Sequence, residues 1–253
     1  MPTFVHDGHV LHYDVHGSGR PVVMLHGITV TFAANYAAVG WVQSLAAKGL
    51  QPIGLDFRGH GGSAKPLDPA AYGTVNLAGD VIALLDELRI GRASLIGYSL
   101  GSTIALYLLH AFPDRWERGV LIATGDGLLD IPPYTSAKVL PQLRASLLRD
   151  AFPADLPAHV AAYWEFATRL GHRESSAVAA NGVYPPCQTA EAARVRVPVL
   201  VISGEKDPVL GTGPRLTQAL PQGRYLEIAG ADHFSMARDP AVQSAAADFL
   251  ASA

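Results

Sequence analysis

Short apolar runs alternate with longer amphipathic stretches along most of the chain. Residues 21–25, 51–56, 93–96, 120–123, 197–203 and 225–228 have the length and the Val, Ile and Leu content of strands buried on both faces. Between them lie stretches with helical spacing. Leu77, Val81, Leu84, Leu85 and Leu88 make one face of a helix over 76–88, and Val39, Val42, Leu45 and Ala46 make a stripe over 34–48 that Gly49 should stop. Further helices are expected after residue 99 to about Phe112-Pro113, over 214–220 and over 240–250. Near the N-terminus, alternation over 5–15 around Asp7-Gly8 predicts a hairpin.

This rhythm breaks between residues 125 and 193. Strand-like runs disappear, prolines accumulate, and two amphipathic helices are predicted, over 137–149 and 156–170. In the second, Val160, Tyr163, Trp164 and Ala167 follow the i, i+3, i+4, i+7 spacing of one apolar face. The expected architecture is an α/β fold, a doubly wound and mostly parallel sheet built from residues 1–124 and 194–253, with an inserted helical cap at 125–193. The cap is expected to roof the crevice at the strand ends, with Tyr163 and Trp164 as its candidate substrate contacts.

Composition narrows the function. A formal net charge of -3 leaves neither a nucleic-acid footprint nor a basic membrane surface, so a small-molecule partner is expected. The lone cysteine, Cys187, excludes a disulfide framework and a multi-cysteine metal site, and no metal or cofactor is called for. The first residues are broken by His6, Asp7, His9, His12, Asp14 and His16, which is no signal peptide, and no apolar run reaches membrane-spanning length. A soluble, cytoplasmic protein is the expectation.

The chemistry-bearing stretch is Gly97-Tyr98-Ser99-Leu100-Gly101, set between a predicted strand and a predicted helix. A strand–turn–helix with small residues two positions either side holds the central hydroxyl clear of the sheet. The N–H of Leu100 then sits at a helix N-terminus, where developing negative charge is favoured. A serine needs a base, and the base needs a carboxylate to fix its tautomer. His233 follows the last predicted strand, and Asp207 follows the strand before it. Ser99, Asp207 and His233 are therefore candidate nucleophile, acid and base, at one edge of the sheet.

Taken together, His26-Gly27, Asp56-x-Arg58-Gly59-x-Gly61-x-Ser63, the Gly97–Gly101 turn, Gly204-x-x-Asp207-Pro208 and Asp232-His233 resemble the recurring motifs of the alpha/beta-hydrolase superfamily. The resemblance covers nearly the whole chain outside the cap. It implies a sheet of about eight strands, a Ser99–His233–Asp207 triad, and an oxyanion hole from the N–H groups of Ile28 and Leu100. It also makes Asp126 the rival acid, because some members carry it after the strand that follows the nucleophile helix. Asp232, Arg58 and His60 are expected to brace loops.

Ser99 disfavours the branches that open epoxides or displace halide, and Ile28-Thr29 departs from the perhydrolase branch. Thr29-Val30-Thr31 departs from the carbon–carbon hydrolases, and Ser102 replaces the small residue usual after the turn. Hydrolysis of a carboxylic ester or lactone through an acyl-enzyme is the first expectation. Elimination or C–C bond hydrolysis by the same triad, and a hydrolase-derived receptor with slight turnover, are the alternatives.

Overall fold

The computed structural model describes residues 2–129, 136–152, 154–182 and 184–252; residues 130–135, 153 and 183 of the expected insert lie outside the described residues. The strands are β1 (Thr3–His6), β2 (His9–Val15), β3 (Arg20–Leu25), β4 (Leu50–Leu55), β5 (Ala93–Tyr98), β6 (Trp116–Ile122), β7 (Val199–Gly204) and β8 (Gly223–Ile228). They form one eight-stranded sheet in the order β1-β2-β4-β3-β5-β6-β7-β8. The N-terminal hairpin joins antiparallel, and every pairing from β4 to β8 is parallel.

The apolar runs are continuous because each strand feeds two cores. On β3, Val23 and Leu25 face one core while Val22 and Met24 face the other, and β7 repeats the alternation with Val199 and Val201 against Leu200 and Ile202. The first core is closed by α3 (Thr74–Glu87), whose Leu77, Val81, Leu84 and Leu85 are buried, and by α4 (Leu100–Ala111). The second is closed by Trp41 and Leu45 and by Val242, Ala246 and Leu250 of the C-terminal helix.

The stretch expected as one helix over 34–48 is broken. It forms α1 (Phe32–Asn35), a 3-10 turn (Ala37–Val39) and α2 (Trp41–Ala46), with Gly40 at φ 100° between the last two. A straight helix would present only one stripe, whereas the break lets both Phe32 and Trp41 reach the sheet, each 1 % exposed or less.

Beyond β6 come α5 (Ser136–Leu147) and α6 (Ala158–Arg169), close to the expected helices, then α7 (Arg173–Ala179) and α8 (Thr189–Ala192), which no periodicity announced. Helices α5, α6 and α7 pack on one another, while α8 lies against α4 and α9 (Pro214–Ala219). The buried face of α7 is Ser175, Ser176, Ala177 and Ala179, residues too small to register as an apolar stripe. The chain ends in α10 (Pro240–Ala251).

Candidate active site

Strand β5 runs straight into Ser99, and α4 begins at the next residue. Ser99 stands at φ 53°, ψ -113°, a conformation that costs a non-glycine residue about 1–3 kcal/mol. The surroundings enforce it. A Cβ on Gly97 would lie 2.3 Å from Gly101 O, and one on Gly101 would lie 2.0 Å from Leu25 O, so neither glycine tolerates a side chain. The Ser99 N–H donates to Ile122 O at 2.9 Å. Ser102 has a job here that its sequence position did not reveal: its Oγ sits 2.9 Å from Gly97 O and 2.8 Å from Ile122 O and accepts the Ile122 N–H at 3.1 Å, tying the turn to β6.

The loop after β8 brings His233 Nε2 to 2.8 Å from Ser99 Oγ, and the loop after β7 brings Asp207 Oδ2 to 2.8 Å from His233 Nδ1. Asp207 Oδ1 accepts the N–H groups of Val209 at 2.7 Å and Leu210 at 3.1 Å, which pins the carboxylate. Tyr98 O–H donates to His233 O at 2.5 Å and fixes the histidine's backbone. Nδ1 thus carries the proton toward Asp207 and Nε2 presents a lone pair to the serine hydroxyl. All three side chains are buried, His233 to 1 % exposure.

The other acids are engaged elsewhere. Asp126 Oδ1 accepts the Leu216 N–H at 2.8 Å in the first turn of α9. Asp232 accepts from Phe234 and Ser235 N–H groups, a loop brace. Arg58 forms a buried two-point pair with Asp80, at 2.7 and 2.8 Å, and His60 bonds the backbone of Arg58 and Thr29.

The loop 26–29 lies beside the serine: a Cβ on Gly27 would be 3.5 Å from Ser99 Cβ. Among the described residues, no acceptor takes the N–H of Ile28 or of Leu100. Two backbone N–H groups are thus unpaired near Ser99, that of the next residue in the chain and that of Ile28, which lines the same cavity as Ser99.

Above them is a cavity of about 600 Å³, lined by Ser99, His233, Ile28, Tyr163, Phe166 and Phe234 among others. The structure brings Tyr163 to this cavity and not Trp164. Tyr163 is 4 % exposed and packs its ring edge-on to Phe234 at 5.1 Å. Burial, and then the Asp207 carboxylate, push its phenol well above the ordinary range against the opposing pull of the Ser99 hydroxyl, so it stays a neutral donor. Trp164, one residue on and so about 100° round the helix, donates Nε1–H to Arg149 O at 3.0 Å and packs on Phe152 and Arg173.

Among the described residues one group could hold a metal ion, His110, Cys187 and Glu191, with donor atoms all within 4.8 Å of one another. It stands at the end of α4 beside a separate cavity, and Glu191 already accepts the Gln188 N–H there. Thr29 enters the sequence reading only as a departure from family patterns, and His172, which touches the loop beside Ser99, does not enter it at all. Thr29 has a left-handed backbone at φ 66°, and His172 Nε2 lies 2.9 Å from Thr29 O. His172 falls where no motif or periodicity directs attention. Among the described residues no helix is long and apolar enough to cross a membrane.

Comparisons with known proteins agree with this architecture. A family model described as the alpha/beta hydrolase fold matches residues 20–186. The chain is 30 % identical over 207 residues to 3-oxoadipate enol-lactonase 2 of Acinetobacter baylyi, covering 74 % of this chain and 73 % of that one. The solved enol-lactonase of Burkholderia xenovorans LB400 superposes over 99 % of this chain and 100 % of its own, with a TM-score of 0.74 and 26 % identity. Est816, described as degrading N-acyl homoserine lactones, gives 0.75 and 25 % over 98 % and 99 %. The eight-stranded sheet and its strand-end loops fit the family model that spans most of the sequence, and the chain belongs to the alpha/beta hydrolase fold family.

Proposed function

We propose that the protein is a serine hydrolase that cleaves a small carboxylic ester or lactone through an acyl-enzyme on Ser99. The observation that carries this reading is the unbroken line Asp207 Oδ2, His233, Ser99 Oγ, with both contacts at 2.8 Å, opening on a cavity walled by Tyr163, Phe166 and Phe234 as well as Glu165, Arg169 and Arg238. Family membership alone does not select a reaction, because one fold hosts many chemistries. The enol-lactonase names of two relatives favour lactones as the first substrates to try.

In the proposed sequence Ser99 Oγ attacks the carbonyl carbon while its proton passes to His233 Nε2, and Asp207 stabilises the imidazolium. The carbonyl oxygen takes up the electron pair and is held by the N–H groups of Ile28 and Leu100. Collapse breaks the bond to the alkoxy oxygen, which takes the proton from His233. In a lactone that alcohol stays tethered to the acyl group. Water, deprotonated by His233, then releases the acid and returns Ser99.

Residues 125–193 act in this reading as a cap, a role supported by Tyr163, Phe166 and Arg169 of α6 lining the cavity. A roofed cavity of about 600 Å³ favours short and medium acyl groups over long ones. The test is a panel of esters and lactones graded in acyl length, with Ser99→Ala as control. Ser99-dependent turnover is expected, and an activated ester hydrolysed by Ser99→Ala at the wild-type rate refutes the assignment.

A further inference from the structure

Three histidines hold the backbone of the loop beside Ser99. His26 Nε2 accepts the Phe57 N–H at 3.0 Å, which puts the ring proton on Nδ1, and that proton goes to Gly27 O at 2.7 Å. His60 uses the same tautomer: Nε2 accepts the Thr29 N–H at 3.1 Å and Nδ1–H donates to Arg58 O at 3.0 Å. His172, the residue before α7, donates Nε2–H to Thr29 O at 2.9 Å. The three rings follow one another edge to face, with centroids 5.1 Å apart for His26 and His60 and 5.2 Å for His60 and His172.

Thr29 is thereby gripped at both its N–H and its C=O. It is also the loop residue at φ 66°, where a β-branched side chain is strained and persists only if its surroundings over-determine it. The Gly27–Ile28 peptide is held as well. In a trans peptide the C=O and N–H point in opposite directions, so holding Gly27 O by His26 turns the Ile28 N–H the other way. That N–H is one of the two unpaired donors near Ser99.

We propose that His60 and His172 are positioning residues for the Ile28 donor: they lock Thr29 in its left-handed conformation, and His172 does so from the inserted helices, across the boundary between insert and sheet. The inference rests on the serine hydrolase reading. An oxyanion donor is worth about 10²–10³ in kcat, and a misplacement of about 1 Å can cost 100-fold, so loosening the loop should cost about tenfold to 100-fold.

The test compares His172→Met with His172→Gln, side chains of similar length of which only the second can donate to Thr29 O. Steady-state kinetics on one ester are read together with inhibition by a trifluoromethyl ketone, which forms a tetrahedral oxyanion on Ser99. His172→Met should lower kcat about tenfold to 100-fold with KM little changed and weaken the inhibitor by the same factor, and His172→Gln should recover most of both. A folded His172→Met enzyme with unchanged kcat and inhibitor affinity overturns the proposal and leaves the hydrolase reading standing. Equal impairment of the two variants overturns it as well, because the donated hydrogen bond would then be irrelevant. If His172→Met does not fold, His172→Gln alone decides: an inhibitor affinity near wild type supports the donor role, and a large loss refutes it. Absence of Ser99-dependent turnover in the wild-type enzyme removes both readings together.

Discussion

Replacing Asp207 by asparagine exchanges one carboxylate oxygen for an amide nitrogen, and the structure dictates which way the new amide must face. Oδ1 accepts two backbone N–H groups, from Val209 and Leu210, and Oδ2 accepts the His233 Nδ1–H. In Asp207→Asn the carbonyl oxygen has to stay with the two backbone donors, because turning the amide round would leave both buried and unsatisfied at about 1–3 kcal/mol each. The amide NH2 then faces Nδ1, which must become an acceptor. The ring proton moves to Nε2 and points at Ser99 Oγ, so the serine loses its base. The same tautomer error in trypsin-like serine proteases costs about 10⁴ in kcat, or about 5.5 kcal/mol. The assay is kcat and KM on a p-nitrophenyl ester, with thermal unfolding as a check that the fold persists. Asp126→Asn is the companion variant: its amide oxygen can still accept the Leu216 N–H, so turnover should stay within about twofold. An Asp207→Asn enzyme within tenfold of wild type, or a larger loss from Asp126→Asn, refutes the reasoning.

Two further outcomes follow from the cavity wall and the histidines. Tyr163→Ala should shift the preferred acyl length, because its ring lines the cavity, whereas Trp164→Ala, at a half-buried position, should lower stability by about 1–2 kcal/mol with acyl preference unchanged; a hydrolysis series and chemical denaturation separate the two, and the reverse ranking contradicts the structure. Burial lowers the pKa of His26 and His172 and takes His60 well below its ordinary value, while Asp56 faces His26 and Lys65 faces His172. These rings stay neutral where the unfolded chain binds protons, so stability should fall as pH drops below about 6.5, by up to about 1.4 kcal/mol per pH unit for each ring. Asp56 acts with the same sign in a lower window: its lowered pKa contributes stability that is lost only as pH falls through the carboxylate range. Urea midpoints at pH 7.5 and 5 should therefore differ, and less so in His60→Gln; equal midpoints in the wild type would contradict the neutral stack.

The sheet and the placement of Ser99, Asp207 and His233 were legible because they obey local rules. Strands buried on both faces must be apolar throughout, and a residue forced between strand and helix needs glycines where Gly97 and Gly101 stand. What escaped has no period. The region 34–48 reads as one helix because Val39, Val42 and Leu45 are correctly spaced, yet the sheet needs Trp41 and Phe32 on it at once, and only the tertiary context decides that. Helix α7 buries serines and alanines, and hydropathy is mute about such a face. Tyr163 and Trp164 share one predicted stripe, but adjacent residues diverge on a helix, and only Tyr163 reaches the cavity.

The histidine stack joins these two kinds of information. His26 and His60 belong to motifs visible in the sequence, while His172 sits in the insert, where the resemblance to known families is weakest, and all three converge on the backbone of Gly27 and Thr29. The insert is therefore tied to the loop beside Ser99 as well as to the cavity wall. Helix α6 supplies Tyr163 to the cavity, and three residues beyond its end His172 holds Thr29. In the proposed arrangement a ligand that shifts α6 also acts on the backbone that carries the Ile28 donor, because α6 and α7 pack together and His172 bonds Thr29 of that loop. Such a connection makes turnover depend on how the insert is seated, so substitutions that reshape the acyl end of the cavity should change kcat as well as KM.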